Sequence, residues 1–328
     1  MLSSRTFSAL SASCLACNHY KTSRRIASMR AICYARAVPR KAAPARRPTI
    51  SIVGPGNLGT ALAVTLARAR YPVKVLSVRA AKSGHRKLKA LARKVHARLA
   101  VLGRDALDTD IVWLTVPDDV IAEVAAELAD AQTWRGKLVF HSSGALTSDE
   151  LAPLRKRGAR VASVHPLMTF VRDAVPEMAS VPFALEGDAA AVRAARKIVE
   201  DLGGRGFSIK KQNKVLYHAF GSFASPQLIA LMAAMERVGI AAGIRRQDIK
   251  TVMLPLLQQT LRNYLDKTAA AAFSGPLVRG DVATVRRHLA ELKALPEVRE
   301  LYIALAKASL RNLPVKNRSL LRRELLAD

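Results

Sequence analysis

Short apolar runs alternate with amphipathic stretches through roughly the first two thirds of the chain, and the pattern predicts a sheet with helices between its strands. Ile50, Ile52 and Val53 read as a buried strand, and Thr60 to Ala67 has the small and apolar spacing of a helix packed on that strand. Pro72 to Ser77 predicts a second strand, followed by a strongly basic helix over 81–99 and a bridge over 101–107. Residues 110–116 become continuously apolar after Asp110, as a strand buried on both faces should. Asp118 and Asp119 then open a helix over 120–128, where acids complement the helix dipole. Further strands are predicted at 137–141, 161–164 and 181–186, with a helix over 189–202. From Lys211 the strand pattern stops, and helices are expected over about 213–238, 246–265, 281–293 and 296–310.

The fold class that follows is α/β: a doubly wound, parallel Rossmann-type sheet, then an all-helical C-terminal domain. The expected domains are a basic leader over 1–47, a nucleotide-binding domain over 48–210 and a helical domain over 211–328.

Between the first strand and its helix lies Gly54-Pro55-Gly56-Asn57-Leu58-Gly59, a GxGxxG turn in the strand–turn–helix setting that gives this pattern meaning. Gly54 would allow the tight turn, Gly56 the approach of a pyrophosphate to backbone, and Gly59 close helix–strand packing. Helix amides would hold the phosphates. About 20 residues further on, an NAD enzyme places an acid on the ribose, whereas this chain has Ser77-Val78-Arg79, and its first acid is Asp105. A guanidinium can hold a 2′-phosphate through paired charged hydrogen bonds. Lys82, Ser83 and Arg86 follow it closely. The expected cofactor is therefore NADP(H), with Gly54, Pro55, Gly56, Asn57, Leu58, Gly59, Ser77 and Arg79 among its contacts. Arg79 as the start of a solvated basic helix is the plainer alternative.

Charge modifies this picture without redirecting it. The 328 residues carry 53 Lys and Arg against 25 Asp and Glu, a net +28, and ten of those cations but no acid fall within residues 1–47. The rest stays basic enough to favour an anionic small-molecule substrate. Aromatic residues make up only 5%, with no basic-aromatic platform for stacking bases, so no specific nucleic acid is expected. No apolar stretch is long enough to span a bilayer, and no membrane partner is expected. All three cysteines, Cys14, Cys17 and Cys33, lie in the leader, and no metal site is expected. The leader itself reads as an overextended start, with Met29 or a later codon as the beginning, and a targeting segment is the alternative. An NADP site suits a cytoplasmic protein.

In the helical part, Lys214, His218, Ser222 and Ser225 share one helix face, on a stretch that Gly221 and Pro226 interrupt. Such a face could close over a nicotinamide and transfer a proton through His218, with Ser222 as its neighbour. A stripe of small residues for close helix approach explains the same pattern. Further on, Asp281 is placed to cap a helix carrying Thr284 and His288, and Arg279 just ahead of it could bind a substrate carboxylate.

Taken together, the glycine turn, Val116-Pro117-Asp118-Asp119, His141-Ser142-Ser143-Gly144-Ala145-Leu146, His165-Pro166-Leu167, Tyr217-His218-Ala219 with Phe223-Ala224-Ser225, and Gly275-Pro276 with Arg279-Gly280-Asp281 and Thr284 to His288 resemble one family. It is the Rossmann-like proteins with a C-terminal domain of unknown function, DUF2520, relatives of the 6-phosphogluconate dehydrogenase and pyrroline-5-carboxylate reductase superfamily. The resemblance covers about residues 49–310. It implies an NADP-binding domain, in which Val116, Pro117, Ser142 and Gly144 join the cofactor contacts, and a helical domain that completes the site and often dimerises. Phe220 to Pro226 is similar to the Ser-Gly-Ser-Gly-Pro segment of pyrroline-5-carboxylate reductases, and His165-Pro166-Leu167 to the His-Pro-Met segment of prephenate dehydrogenases. No match is read to the Lys-x-x-x-Asn pair of β-hydroxyacid dehydrogenases.

The resulting expectation is an oxidoreductase moving a hydride between NADP(H) and a small carboxylate-bearing carbonyl, imine or alcohol, as a homodimer through the helical domain. His218 would transfer the proton, with His165 in reserve, and Arg279 would anchor the anion. A non-catalytic NADP(H)-binding sensor or interaction protein is the alternative.

Overall fold

The computed structural model describes residues 46–79, 85–172 and 174–326. Residues 1–45 of the leader, with its three cysteines, and Lys82 and Ser83 lie outside these.

Eight strands form one sheet in the order β3-β2-β1-β4-β5-β6-β7-β8. They are β1 (Ile50–Val53), β2 (Val73–Val78), β3 (Arg98–Val101), β4 (Ile111–Leu114), β5 (Leu138–His141), β6 (Arg160–Pro166), β7 (Pro182–Gly187) and β8 (Arg205–Ser208). Strands β1 to β6 are parallel, with β1 between β2 and β4, so chain direction across the sheet reverses at β1. That reversal opens the crevice at which doubly wound sheets bind ligands. β7 departs from the parallel expectation: it runs antiparallel to β6, pairing Ala162 with Gly187 and Pro166 with Phe183, and β8 returns parallel to it.

Both faces of the sheet are covered. On one, helices α1 (Asn57–Arg68), α2 (His85–Val95) and α5 (Ala189–Asp201) enclose a core that includes Leu62, Trp113, Phe140 and Phe183. On the other, α3 (Ile121–Ala129) and α4 (Ala152–Lys156) cover Val112, Leu114 and Trp134. Trp113 meets Phe140 edge to face, 5.4 Å between ring centres, and donates Nε1–H to Ser142 Oγ at 2.8 Å.

Two strands were not expected. β3 falls where the basic helix was extended to residue 99, and β8 precedes the helical part. Both are four residues long and partly exposed, so neither carries the apolar run that marks a buried strand.

Beyond β8 every element is helical: α6 (Lys214–Ala224), α7 (Pro226–Ala241), α8 (Ile249–Asp266), α9 (Ala269–Ala272), α10 (Pro276–Arg279), α11 (Val282–Glu291), α12 (Pro296–Asn312) and α13 (Arg318–Glu324). The single helix expected over 213–238 is broken at Ser225, whose φ of −131° and ψ of −83° are not helical. Pro226 is the cause, since it lacks an N–H and its ring clashes inside a helix but suits the first turn of α7. Asp281 caps α11 by accepting the Thr284 amide at 3.0 Å. α11 to α13 enclose a small core of their own, whereas α6 to α8 leave Leu216, Phe220, Phe223, Leu256 and Leu261 exposed. No helix among the described residues is long and apolar enough to cross a membrane.

Candidate functional site

The glycine turn joins β1 to α1 at the point where the sheet reverses. Gly54 has φ +80°, and a Cβ there would lie 2.5 Å from Val116 Cγ1, so both conformation and space demand glycine. Gly59 sits against β4, where a Cβ would meet Thr115 Oγ1 at 2.4 Å, and this closeness seats the start of α1 on the sheet. Thr115 Oγ1 in turn donates to Gly54 O at 2.7 Å. A Cβ on Gly56 would meet only Gly54 O, at 4.0 Å, and the first turn of α1 carries no acid. That helix end suits an anion.

A cavity of about 760 Å³ runs from this turn in two directions, toward Val78, Arg79 and Leu102 on one side and toward Val116, Pro117, Asp118 and Ser142 on the other. Gly54, Pro55, Gly56, Asn57 and Leu58 line its middle. Asn57 also donates to Phe170 O at 3.1 Å, bringing the loop between β6 and β7 against the turn. A dinucleotide fits this layout, with pyrophosphate at the α1 amides and its two nucleosides in the two arms.

In the first arm, Arg79 follows the end of β2 and lines the cavity. Ser77 does not: it is fully buried, its hydroxyl has no hydrogen-bond partner, and its contribution is the carbonyl that accepts the Gly54 amide at 2.9 Å. The acid absent from this stretch of sequence arrives instead from α3, where Glu123 Oε1 lies 2.7 Å from Arg79 Nη2.

The other arm ends at the turn after β5. Ser143 Oγ donates to Asp118 Oδ2 at 2.6 Å and receives the amides of Ala145 and Leu146, so this turn is tied both to itself and to the end of β4. Gly144 is buried where two histidines converge. A Cβ on it would come within 2.8 Å of His165 Nε2 and 2.7 Å of His218 Cδ2. The two imidazoles stand 6.3 Å apart, centre to centre. His165 comes from β6, and its Nδ1 shares a hydrogen bond with Tyr217 Oη at 2.8 Å. Burial, with the Lys214 and His218 charges adding to it, lowers the His165 pKa to about 4, so it is neutral at physiological pH. His218 is exposed on α6. Ser222 lies one turn further along the same helix, and Gly221 beside it packs close to Leu167.

Beneath these histidines lies a residue that sequence reasoning placed on the polar face of α6 without assigning it to the site. Lys214 is fully buried, and its ammonium donates to Ser143 O at 3.0 Å and Ser163 Oγ at 2.5 Å. Burial lowers its pKa to about 8, against the opposing influence of Glu186 and Asp118. Lys214 and His218 keep the spacing of a Lys-x-x-x-Asn pair, with histidine in the second place, and that spacing was the available signal. His141 completes the network: Nε2 donates to Thr147 O at 3.0 Å, and Nδ1 accepts the Ser143 amide at 3.1 Å. Burial and the nearby Lys214 push its pKa down to about 3.

Arg279 is not part of this convergence. It is exposed at the end of α10, which packs on α11, and its guanidinium makes no hydrogen bond or ion pair among the described residues. Likewise, no group of three or more His, Cys, Asp or Glu among the described residues is arranged to hold a metal ion.

The Rossmann-like domain model matches residues 37–166, and the model for DUF2520, a domain of unknown function, matches residues 181–309. The chain is a Rossmann-like protein with a DUF2520 domain. The DUF2520 match begins just before β7, inside the sheet. Solved structures share the fold over nearly their whole lengths. A candidate NADP oxidoreductase from Bacteroides fragilis aligns at a TM-score of 0.67 and 21% identity, over 80% of this chain and 97% of that one. A reductive aminase from Aspergillus terreus, solved with NADPH and ethyl-5-oxohexanoate, gives 0.57 and 18%, over 84% and 99%. A pyrroline-5-carboxylate reductase from Coxiella burnetii gives 0.52 and 16%, over 80% and 97%. No curated protein sequence matches the chain significantly.

Proposed function

We propose that this DUF2520 protein is an NADP(H)-dependent oxidoreductase acting on a small carboxylate-bearing carbonyl, imine or alcohol. The observation that carries the reading is the convergence of His165 and His218 on Gly144, at the Ser142 end of a cavity whose centre is an acid-free helix start. The α1 amides would hold the pyrophosphate and Arg79 the 2′-phosphate, in line with the NADPH bound by the reductive aminase of the same fold. The nicotinamide, when bound, supplies or takes up the hydride.

His218 is assigned the proton: in the reducing direction it protonates the substrate oxygen or nitrogen as the adjacent carbon gains a hydride, and its exposed ring is free to reload from water. Ser222 supports His218 from the next turn. His165, already neutral, serves as the reserve acid or base and as a fixed wall through Tyr217. Lys214 and Asp118 hold the Ser143–Gly144 turn that both histidines touch.

The working unit is proposed to be a cytoplasmic homodimer joined through the helical part, because Leu216 is 76% and Phe223 73% exposed, and α8 adds further bare leucines. Arg279, which makes no hydrogen bond or ion pair with His165 or His218 of its own chain, would then anchor the substrate anion in the other protomer's site.

NADPH oxidation across keto acids, cyclic imines and keto sugars tests the reading. His218→Ala should lower kcat by about a hundredfold or more with NADPH binding unchanged. Full activity in that variant overturns the role of His218. NADPH binding without turnover of any substrate overturns the enzyme reading in favour of a sensor.

A further inference from the structure

The sequence around Arg79 contains no acid, but the folded chain supplies one. Glu123 lies in the first turn of α3, and its Oε1 is 2.7 Å from Arg79 Nη2 at the rim of the cavity. Asp119 and Glu127, from the same stretch of chain, add to the negative potential at this guanidinium.

A carboxylate in this position acts differently on the two nicotinamide dinucleotides. Toward a 2′-phosphate it occupies an N–H of the guanidinium that would hold the phosphate, and it repels a nearly dianionic group brought to the same place. Toward the 2′-hydroxyl of the unphosphorylated cofactor neither cost arises, and the carboxylate can accept a hydrogen bond from the ribose. We propose that Glu123 is a specificity-determining residue that restrains the preference for NADP(H) over NAD(H) by engaging Arg79. This rests on the reading that Arg79 receives the 2′-phosphate, and the variants below separate the two.

The readout is the ratio of NADH to NADPH dissociation constants, from fluorescence titration of wild type, Glu123→Gln, Arg79→Ala and the double variant. Glu123→Gln keeps the side chain's shape and removes its charge, at an exposed position that does not threaten folding. It should raise the ratio about threefold, the scale of an exposed ion pair, and the gain should shrink as salt screens it. Arg79→Ala should lower the ratio about tenfold or more. In the Arg79→Ala background, Glu123→Gln should raise the ratio by less than it does in wild type, because the competition for the guanidinium is gone and only the direct action of the carboxylate on the cofactor remains. An Arg79→Ala effect as expected, beside an unchanged or lowered ratio in Glu123→Gln, overturns the role of Glu123 and leaves Arg79 standing. An unchanged ratio in Arg79→Ala overturns the phosphate reading and this inference with it.

Discussion

The sheet and the helices that follow it dispose of their apolar residues in opposite ways. Trp113, Trp134, Phe140 and Phe183 are fully enclosed by helices from the same chain. In α6 to α8, by contrast, only Lys214 and Ile249 are buried, while leucines and phenylalanines stand in solvent. A parallel sheet needs cover on both faces and obtains it locally, since each crossover helix returns across the strands it connects. A helix that is apolar on several sides needs more neighbours than α7 and α9 provide for α8. The lesson is that one part of this protein is complete within a single chain, whereas the other leaves apolar helix faces uncovered, which is why it is proposed as half of an interface.

The contrast can be broken most directly in the sheet. Trp113→Ala removes a sealed indole that packs on Phe140 and binds Ser142, and should cost about 3 to 5 kcal/mol in urea unfolding. A cost under about 1 kcal/mol would mean that the sheet core is not where stability resides. The helical part should answer to concentration instead. Phe223→Glu, at a site 73% exposed, should leave the sheet folded and weaken self-association about a hundredfold in sedimentation measurements. A wild-type chain that sediments as a monomer at micromolar concentration ends the interface reading.

Acid offers a third, smaller probe. The folded-state pKa of His141, about 3, lies below its ordinary value of 6.5, so on acidification the unfolded chain takes up the proton first. Stability from this group is full above pH 6.5 and is lost as pH falls from there toward 3, by about 2 kcal/mol at pH 5. His141→Gln should flatten that part of the pH profile. An unaltered profile would show that the buried network under the site is not what acid attacks.

How much of this could be read in the chain depended on whether a feature was local. The glycine turn was legible because strand, turn and helix are contiguous, and Gly54 and Gly59 show the constraints expected of them. The position of Arg79 just after β2 was legible too, but its partner was not, because Glu123 reaches it from another strand–helix unit. Ser77 looked like a ligand contact from its position beside Arg79, yet it lies within β2, a strand covered on both faces, and is fully buried. The burial of Lys214 was not legible, for a related reason. On α6 it shares a face with His218 and Ser222, and only the three-dimensional meeting of that helix with the turn after β5 shows that its ammonium is enclosed. The strand β8 and the break at Ser225 mark the limits of periodicity, the first being too short and exposed to register and the second being set by one proline.

The buried ammonium of Lys214 also bears on how such proteins can be recombined. Its first-turn position makes it the opening residue of the helical part, yet its hydrogen-bond acceptors, Ser143 and Ser163, belong to the sheet. A chimera that joined this sheet to helices beginning without that lysine would leave the two acceptors facing a gap, and the reciprocal graft would bury a cation with nothing to receive it. The seam at which parts can be exchanged therefore cannot follow the change from strands to helices near residue 210. It has to keep the turn after β5, the middle of β6 and the start of α6 within one inherited piece.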